Sequence, residues 1–183
     1  MKTQAATPVL AGAPLRQFRG AHSGILSGLA GLEQLPALAT AAERARETAA
    51  ATLDLFDRVV RGHHGDEEET LFDAVQRSCR GAEERQQVED FVVLLTAQHR
   101  QIEALWDKLR PAVVRIAAGK PANELLFGAE VDRLVSLYEE HAHREEEGFL
   151  PLADAILRRD GNHMAALDIA LHLRHAPLPR AYI

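Results

Sequence analysis

The sequence predicts an all-α protein, folded as an antiparallel up-down four-helix bundle with a short C-terminal extra helix. Apolar residues recur every three or four positions along four long stretches, which is the spacing of a helix with one buried face. One pattern also occurs twice, a lone histidine and then, 41 or 42 positions later, His-x-x-x-Glu: His22, His63 and Glu67, then His99, His141 and Glu145. Two similar helical hairpins of this kind make four helices.

The bulk composition limits the partners. A chain of 183 residues that is 46% hydrophobic and 26% charged is typical of a globular protein with one core. Its net charge of −6 and its scattered Lys and Arg residues argue against nucleic acid. No uninterrupted apolar run approaches the roughly 20 residues that cross a bilayer, so no membrane partner is expected. The single cysteine, Cys79, suits a reducing compartment, and we expect a cytoplasmic protein.

Proline and glycine residues divide the chain into predicted segments. Residues 1–14 contain two prolines and are predicted to be a flexible tail, residues 15–159 form the bundle, and residues 160–183 form a short helix and tail. Within the bundle, Pro111 should kink or end the third helix, and Pro151 should bend the fourth. The first predicted helix begins at Leu15 and ends between Gly31 and Pro36. The other three cover residues 36–78, 82–118 and 122–159.

Two adjacent histidines in the second helix allow two registers. His63 and Glu67 continue the apolar stripe that passes through Val60, whereas His64 and Glu68 share a face with Asp57 and Arg61. We therefore predict that the His63 pair points inward. The same test in the fourth helix places His141 and Glu145 inside and predicts that His143 and Glu147 are exposed.

The predicted bundle places six polar side chains on its inner stripes: His22, His63, Glu67, His99, His141 and Glu145. A single histidine on an apolar stripe is commonly a hydrogen-bonded core residue, but burying six such groups without partners would cost several kcal/mol each at worst. A metal would satisfy all of them. Imidazole and carboxylate ligands without cysteine suit iron, manganese or zinc, and two carboxylates among four or five imidazoles suit a pair of irons.

The order His, His-x-x-x-Glu, His, His-x-x-x-Glu over residues 15–155 resembles the hemerythrin-like family, also called HHE cation-binding proteins. The resemblance implies an antiparallel four-helix bundle around two non-haem iron ions per chain, with Zn or Mn as alternatives in isolated protein. It also implies that Glu67 and Glu145 bridge the irons. The four histidines of the pattern would then be terminal ligands.

The chain departs from the oxygen-carrying members of that family, which have a fifth histidine one turn from the lone histidine of the third helix. Here the residues four positions from His99 are Leu95 and Glu103. Glu103 and His64 are therefore candidates for a further ligand. The Glu-x-x-His pattern of ferritin-like proteins occurs once, as Glu140 and His143, and is the weaker match.

We expect a di-iron protein that binds or senses O2, peroxide or NO, or that acts in iron or redox homeostasis. One missing histidine would leave an iron position open for such a ligand. The alternatives are a di-iron oxidase or peroxidase-like enzyme and a partner-binding bundle with a structural metal. The pattern favours binding over catalysis, and it leaves a homodimer open.

Overall fold

The computed structural model of the chain describes residues 13–122 and 124–175, with side chains described for residues 20–122 and 127–171. The predicted tails therefore lie largely outside the described residues. Every element in the described ranges is helical, as predicted. In chain order they are α1 (Ala13–Asp54), a π-helical segment (Leu55–Val60), α2 (Arg61–Asp66), a second π-helical segment (Glu67–Leu71), α3 (Phe72–Ser78), α4 (Ala82–Ala117), α5 (Glu124–Arg144), a third π-helical segment (Glu145–Phe149), α6 (Leu150–Leu157) and α7 (Gly161–His175).

The chain divides into two compact units, one that ends at Ala45 and one that begins at Arg46. The described part of the first unit, residues 13–45, lies within helix α1, and several of its large apolar side chains are exposed. The second unit contains the buried core. The short helix predicted after residue 160 is present as α7. The predicted limits of the bundle, 15 and 159, stay a prediction.

Helix α1 is longer than the sequence predicted. The first helix was expected to end between Gly31 and Pro36, but α1 is helical through both residues and has Pro36 in its interior. Proline removes one backbone donor and disturbs the preceding turn, which costs about 3 kcal/mol in a helix interior. Alanine-rich sequence follows directly at residues 37–42, and alanine has the highest helix propensity. The favourable propensity of these residues opposes the break that proline promotes.

The core of the second unit consists of two clusters of buried apolar residues. The first, called here the Phe72 cluster, contains Phe72, Val75, Cys79, Val88, Leu95, Phe149, Ala153, Ile156 and Leu157. The second, called here the Trp106 cluster, contains Ala49, Ile102, Leu105, Trp106, Leu109, Val113 and Leu134. Each cluster contains residues from three helical stretches, and the three are the same for both clusters. Both clusters therefore hold these stretches together.

The helices cross these clusters in alternating order. Along α4 the chain passes from the Phe72 cluster at Leu95 to the Trp106 cluster at Ile102. The stretch from α5 to α6 passes the other way, from Leu134 to Phe149. These two stretches therefore run in opposite directions. His99 and His141 fall between the two clusters along their helices.

The turn after α4 agrees with its sequence signal. Gly119 has a φ of +69°, a conformation that favours glycine, and the Lys120 N–H donates to the Arg115 carbonyl at 2.8 Å. The expectation that Pro111 ends or kinks this helix early was wrong as to its end, because α4 continues to Ala117. Val113, two residues after the proline, is buried in the Trp106 cluster, and this packing helps to hold the last turns.

Gly148 lies where another chain segment approaches closely. A Cβ atom built on it would lie 2.8 Å from two ring carbons of Phe91. We expect Gly148→Ala to lower the free energy of unfolding by about 1–3 kcal/mol, because the ring or the backbone must shift. The control is Gly128→Ala in α5, where a Cβ would meet no atom within 4 Å and the change should be neutral or stabilising. Equal urea midpoints for the two variants would contradict this close approach.

The expectation that the chain has no membrane partner stays a prediction. Among the described residues, the helical run Gly20–Ser78 contains a window with a mean hydropathy of 1.2, long and apolar enough to cross a membrane, and none of that window is buried. Counting only uninterrupted apolar runs missed it, because glycine, serine and a single glutamate are interspersed with the leucines. Length and composition equally suit a helix that packs against protein.

Candidate metal centre

Two groups of metal-binding side chains lie between the apolar clusters of the second unit. His64, His99 and His141 form one, and His63, Glu67 and Glu145 form the other. Within each group, the nitrogen and oxygen atoms that can bind a metal lie within 4.8 Å of one another. All six residues are in the second unit, on the helical stretches predicted to bear ligands. The structure thus brings together five of the six principal predicted residues, with His64 in addition.

A π-helical segment begins at each of the two glutamates. One covers Glu67–Leu71 and the other Glu145–Phe149, so both halves of the chain contain the same irregularity at the same place in the repeat. A π-helical turn accommodates more residues than an α-helical turn and rotates the side chains that follow it. This rotation is visible after Glu67, where the next buried residue is Phe72, five positions on. Such turns occur frequently at functional sites.

In the second predicted helix, the His63–Glu67 pair and the His64–Glu68 pair are both at least partly buried. His64 is only 1% exposed, whereas the His63 side chain is about half exposed at 48%. The expectation that His64 lies on a solvent-type face was therefore wrong. It rested on Asp57, but Asp57 accepts hydrogen bonds from Trp106 Nε1 at 2.9 Å and from Arg110. That face packs against α4 through polar contacts, so its acidic residue does not mark solvent.

His99 is fixed in one orientation by its surroundings. Its ring is completely buried and stacks on the His64 ring, with centroids 3.9 Å apart. Its Nδ1 lies 2.7 Å from a carboxylate oxygen of Glu68, and because a carboxylate only accepts, Nδ1 carries the proton. Nε2 then faces the centre and lies 3.1 Å from Glu67 Oε2 without hydrogen-bond alignment. This orientation points one ring nitrogen toward the centre while the other is held by a carboxylate, as in metal-ligating histidines.

His64 is held in the same way. Its Nδ1 lies 3.1 Å from Glu103 Oε1, which leaves Nε2 free to face the centre. Arg100 contacts both orienting carboxylates, Glu68 closely and Glu103 at 3.5 Å. The ligand candidate Glu103 thus contacts His64 and belongs to neither donor group. Sequence reasoning missed the orienting contacts of Glu68 and Arg100, and the available signal was their position beside predicted ligands.

The two glutamates of the centre differ in their proton affinity. Burial alone would raise the pKa of Glu67, but contacts with His63, His99 and Glu145 outweigh it and hold that pKa below its usual range. Burial and the neighbouring Glu67 carboxylate raise the pKa of Glu145 to about 8. Near neutral pH the two carboxyl groups therefore share one proton. A bound cation would take the place of that proton.

His141 is neutral in this setting. Its ring is 1% exposed, and burial together with the nearby His99 lowers its pKa to about 4. Nε2 lies 3.7 Å from Glu145 Oε2, too far for a hydrogen bond. Tyr138 has its ring 5.9 Å from that of His141 and packs against the Trp106 cluster.

His22 is placed differently from the other predicted ligands. It belongs to α1 in the first unit, and its side chain is exposed. Neither donor group of the described residues includes it. Its ligation stays a prediction. By contrast, His143 and Glu147 form an exposed pair at 3.3 Å, as the register test predicted.

The arrangement of the donor atoms suits the binding of a metal ion better than hydrogen bonding among the donors themselves. Among the described residues, buried atoms without a hydrogen-bond partner include His64 Nε2, His99 Nε2, both nitrogens of His141 and both oxygens of Glu67. Leaving a buried polar group unsatisfied costs about 1–3 kcal/mol, so this many in one place calls for a common partner. The nitrogens and oxygens approach within 3.0–3.7 Å but are not aligned with each other. Imidazole and carboxylate donors without thiolate suit Fe, Mn or Zn.

A helical fold with buried histidine and glutamate donors between two apolar clusters defines a metal-binding helical domain. The model of the hemerythrin HHE cation-binding domain matches residues 13–153, and the chain belongs to that family. The match includes α1 and both donor groups. Searches of curated proteins and of solved structures found no match.

Proposed function

We propose that this chain is a non-haem di-iron protein that binds or senses O2, peroxide or NO, or that uses this reactivity in redox or iron homeostasis. The observation that carries the proposal is the presence of two adjoining donor groups, in which Glu67 lies 3.1 Å from His99 and Glu145 lies 3.7 Å from His141 of the other group. Two groups joined by carboxylates suit two cations rather than one.

Different residues of the centre would hold the two ions. Glu67 lies 3.0 Å from His63 Nε2 in one group and 3.1 Å from His99 Nε2 in the other, which suits a bridging role. His64, His99 and His141 would hold one ion, and His63 with Glu145 would hold the other. Bound iron supplies the ability to change its charge when it binds an oxidant or NO. Glu68 and Glu103 keep the imidazoles of His99 and His64 oriented throughout.

The surroundings favour a small ligand. Two surface cavities, of about 400 and 430 Å³, are lined by residues outside both donor groups. The centre itself is covered by the apolar clusters at both ends, and the half-exposed His63 marks its open side. A diatomic gas or peroxide needs little room there. This supports binding or sensing over turnover of a larger substrate by a di-iron oxidase or peroxidase-like enzyme.

We also propose the antiparallel up-down four-helix arrangement for the complete domain. The alternating order in which α4 and the α5–α6 stretch cross the clusters supports it. The family match begins at residue 13, which makes α1 part of the domain. We propose its N-terminal half as the fourth helix and His22 as a further metal ligand.

Elemental analysis of protein purified under reducing conditions tests the proposal. We expect about two irons per wild-type chain and less than one in His141→Ala, which removes a buried donor. His143→Ala is the matched control, because His143 also precedes a glutamate by four residues but is exposed. One zinc per chain would favour a structural metal, and equal iron in the two variants would exclude this site.

A further inference from the structure

A single arginine closes a ring of polar contacts around two of the buried histidines. Arg100 directs its two terminal nitrogens at different carboxylates, Nη2 at Glu68 and Nη1 at Glu103, the latter at 3.5 Å. Each carboxylate uses its other oxygen for an imidazole, since Glu68 Oε1 lies 2.7 Å from His99 Nδ1 and Glu103 Oε1 lies 3.1 Å from His64 Nδ1. The two imidazoles stack with centroids 3.9 Å apart. These five side chains are called here the arginine network.

The arginine network joins two helical stretches in both directions. His64 of α2 is held by Glu103 of α4, whereas His99 of α4 is held by Glu68 of the π-helical segment that follows α2. Each ring is therefore oriented by a carboxylate from the opposite stretch. Because the guanidinium of Arg100 contacts both carboxylates, a displacement of one imidazole is passed to the other through it.

The other two histidines of the donor groups are held differently. Among the described residues, both nitrogens of His141 lack a hydrogen-bond partner. His63 Nε2 lies 3.0 Å from Glu67, which is itself a member of the same donor group. The orienting contacts are thus concentrated on His64 and His99, and both belong to the group of three histidines. This concentration indicates a specific task for the arginine network.

We propose that Arg100 is a positioning residue for the group of three histidines. Its planar guanidinium holds both carboxylates at once, and the carboxylates keep the Nε2 atoms of His64 and His99 directed at the centre. Each carboxylate, shared between Arg100 and an imidazole, is thereby kept as an orienting group and not as a ligand. This role rests on the proposed metal function, whereas the arginine network is present in the protein without metal.

The charge of Arg100 and its positioning role have opposite effects on the affinity for a cation. A positive charge near the centre repels a metal ion, so charge alone predicts that Arg100→Leu binds metal more tightly. The Arg100 side chain is 57% exposed, and solvent screens that repulsion. Loss of an orienting contact around a metal site typically weakens metal binding by about 10–100-fold. The sign of the change in affinity therefore separates the two effects.

Competition with a chelator for Zn²⁺, an ion without redox chemistry, measures this sign. We expect Arg100→Leu to bind Zn²⁺ about 10–100-fold less tightly than wild type. Arg100→Lys should also bind less tightly, since an ammonium group lacks the planar fork that engages two carboxylates. The matched control is Arg110→Leu, because Arg110 also lies on α4 and pairs with a carboxylate, that of Asp57, outside both donor groups. Unchanged or tighter binding by Arg100→Leu, full recovery in Arg100→Lys, or an equal loss in Arg110→Leu would overturn the proposal.

NMR of metal-free protein with ¹⁵N-labelled histidine tests the arginine network without any metal. The Nδ1 protons of His64 and His99 should be protected from exchange with water in wild type and in Arg110→Leu, because carboxylates accept them. In Arg100→Leu both protons should exchange several-fold faster, since the carboxylates are no longer held. Equal protection in Arg100→Leu would overturn the positioning role. Protected protons in a wild type that binds no Zn²⁺ would instead overturn the metal centre, and this role with it.

Discussion

Removal of the metal is expected to lower the free energy of unfolding by about 4 kcal/mol when free metal had been present at about 1,000 times its Kd. The native chain gathers the donors, and the unfolded chain does not, so binding energy becomes folding energy. Buried donors without hydrogen-bond partners, such as His141 and Glu67, make the metal-free state the less stable one. For a chain of this size, the loss corresponds to a fall of roughly 10 °C in Tm.

Thermal unfolding with and without a chelator measures this effect. The control is the His141→Ala variant, which should show little dependence on the chelator because its centre is already incomplete. His143→Ala should respond as wild type does, since that side chain is exposed. Identical melting temperatures for wild type in both conditions would mean that the donor groups do not hold a metal in the native state.

Truncation of Phe149 is expected to be the most damaging single change to the core, at about 3–5 kcal/mol. Its ring is fully buried and meets Phe72 edge to face at a centroid distance of 5.1 Å, with Phe91 at 6.1 Å. Phe149→Ala therefore removes apolar contacts on two sides and leaves a cavity in the Phe72 cluster. Urea unfolding of metal-free protein measures the effect separately from metal binding.

The neighbouring Leu150 provides the matched control. It is the next residue along the chain, but its side chain is 38% exposed, and Leu150→Ala should cost less than about 1 kcal/mol. Similar losses for the two variants would indicate that the rotation at the Glu145–Phe149 segment differs from the one described. A small loss for Phe149→Ala alone would mean that the cluster collapses around the cavity.

Much of the fold was predictable from local signals. The 3,4 spacing of apolar residues and the turn at Gly119 predicted α4 and the helical stretch that follows, and α7 appears where a short fifth helix was expected. The end of the first helix was not predictable, because Gly31 and Pro36 indicate a break while the alanines after them favour continuation. Local propensity does not decide such a competition, because tertiary packing also contributes to helix stability.

The sequence predicted which residues form the centre better than it predicted which face of a helix each residue lies on. Spacing selected His63, Glu67, His99, His141 and Glu145, which the structure brings together. It assigned His64 and Glu68 to solvent, because the test assumed 3.6 residues per turn through a stretch that contains π-helical segments. An apolar pair follows each glutamate by four and five positions, Leu71 and Phe72 in one half and Phe149 and Leu150 in the other. The structure buries the second member, Phe72, of one pair and the first member, Phe149, of the other. Packing against neighbouring helices makes that choice.

The π-helical segment at Glu67–Leu71 has a consequence for engineering this chain. It keeps the metal-binding residues before it and the core residues after it on the same side of one helix. The spacing between them is one residue longer than in a regular α-helix. Deleting one residue there would restore ordinary helical geometry and leave Phe72 and Val75 on the same side as His64, whereas a deletion in an α-helical part of the stretch would turn them by about 100°. A one-residue deletion should therefore disturb the core less inside this segment than on either side of it, and its main effect inside the segment should be on the orientation of Glu67.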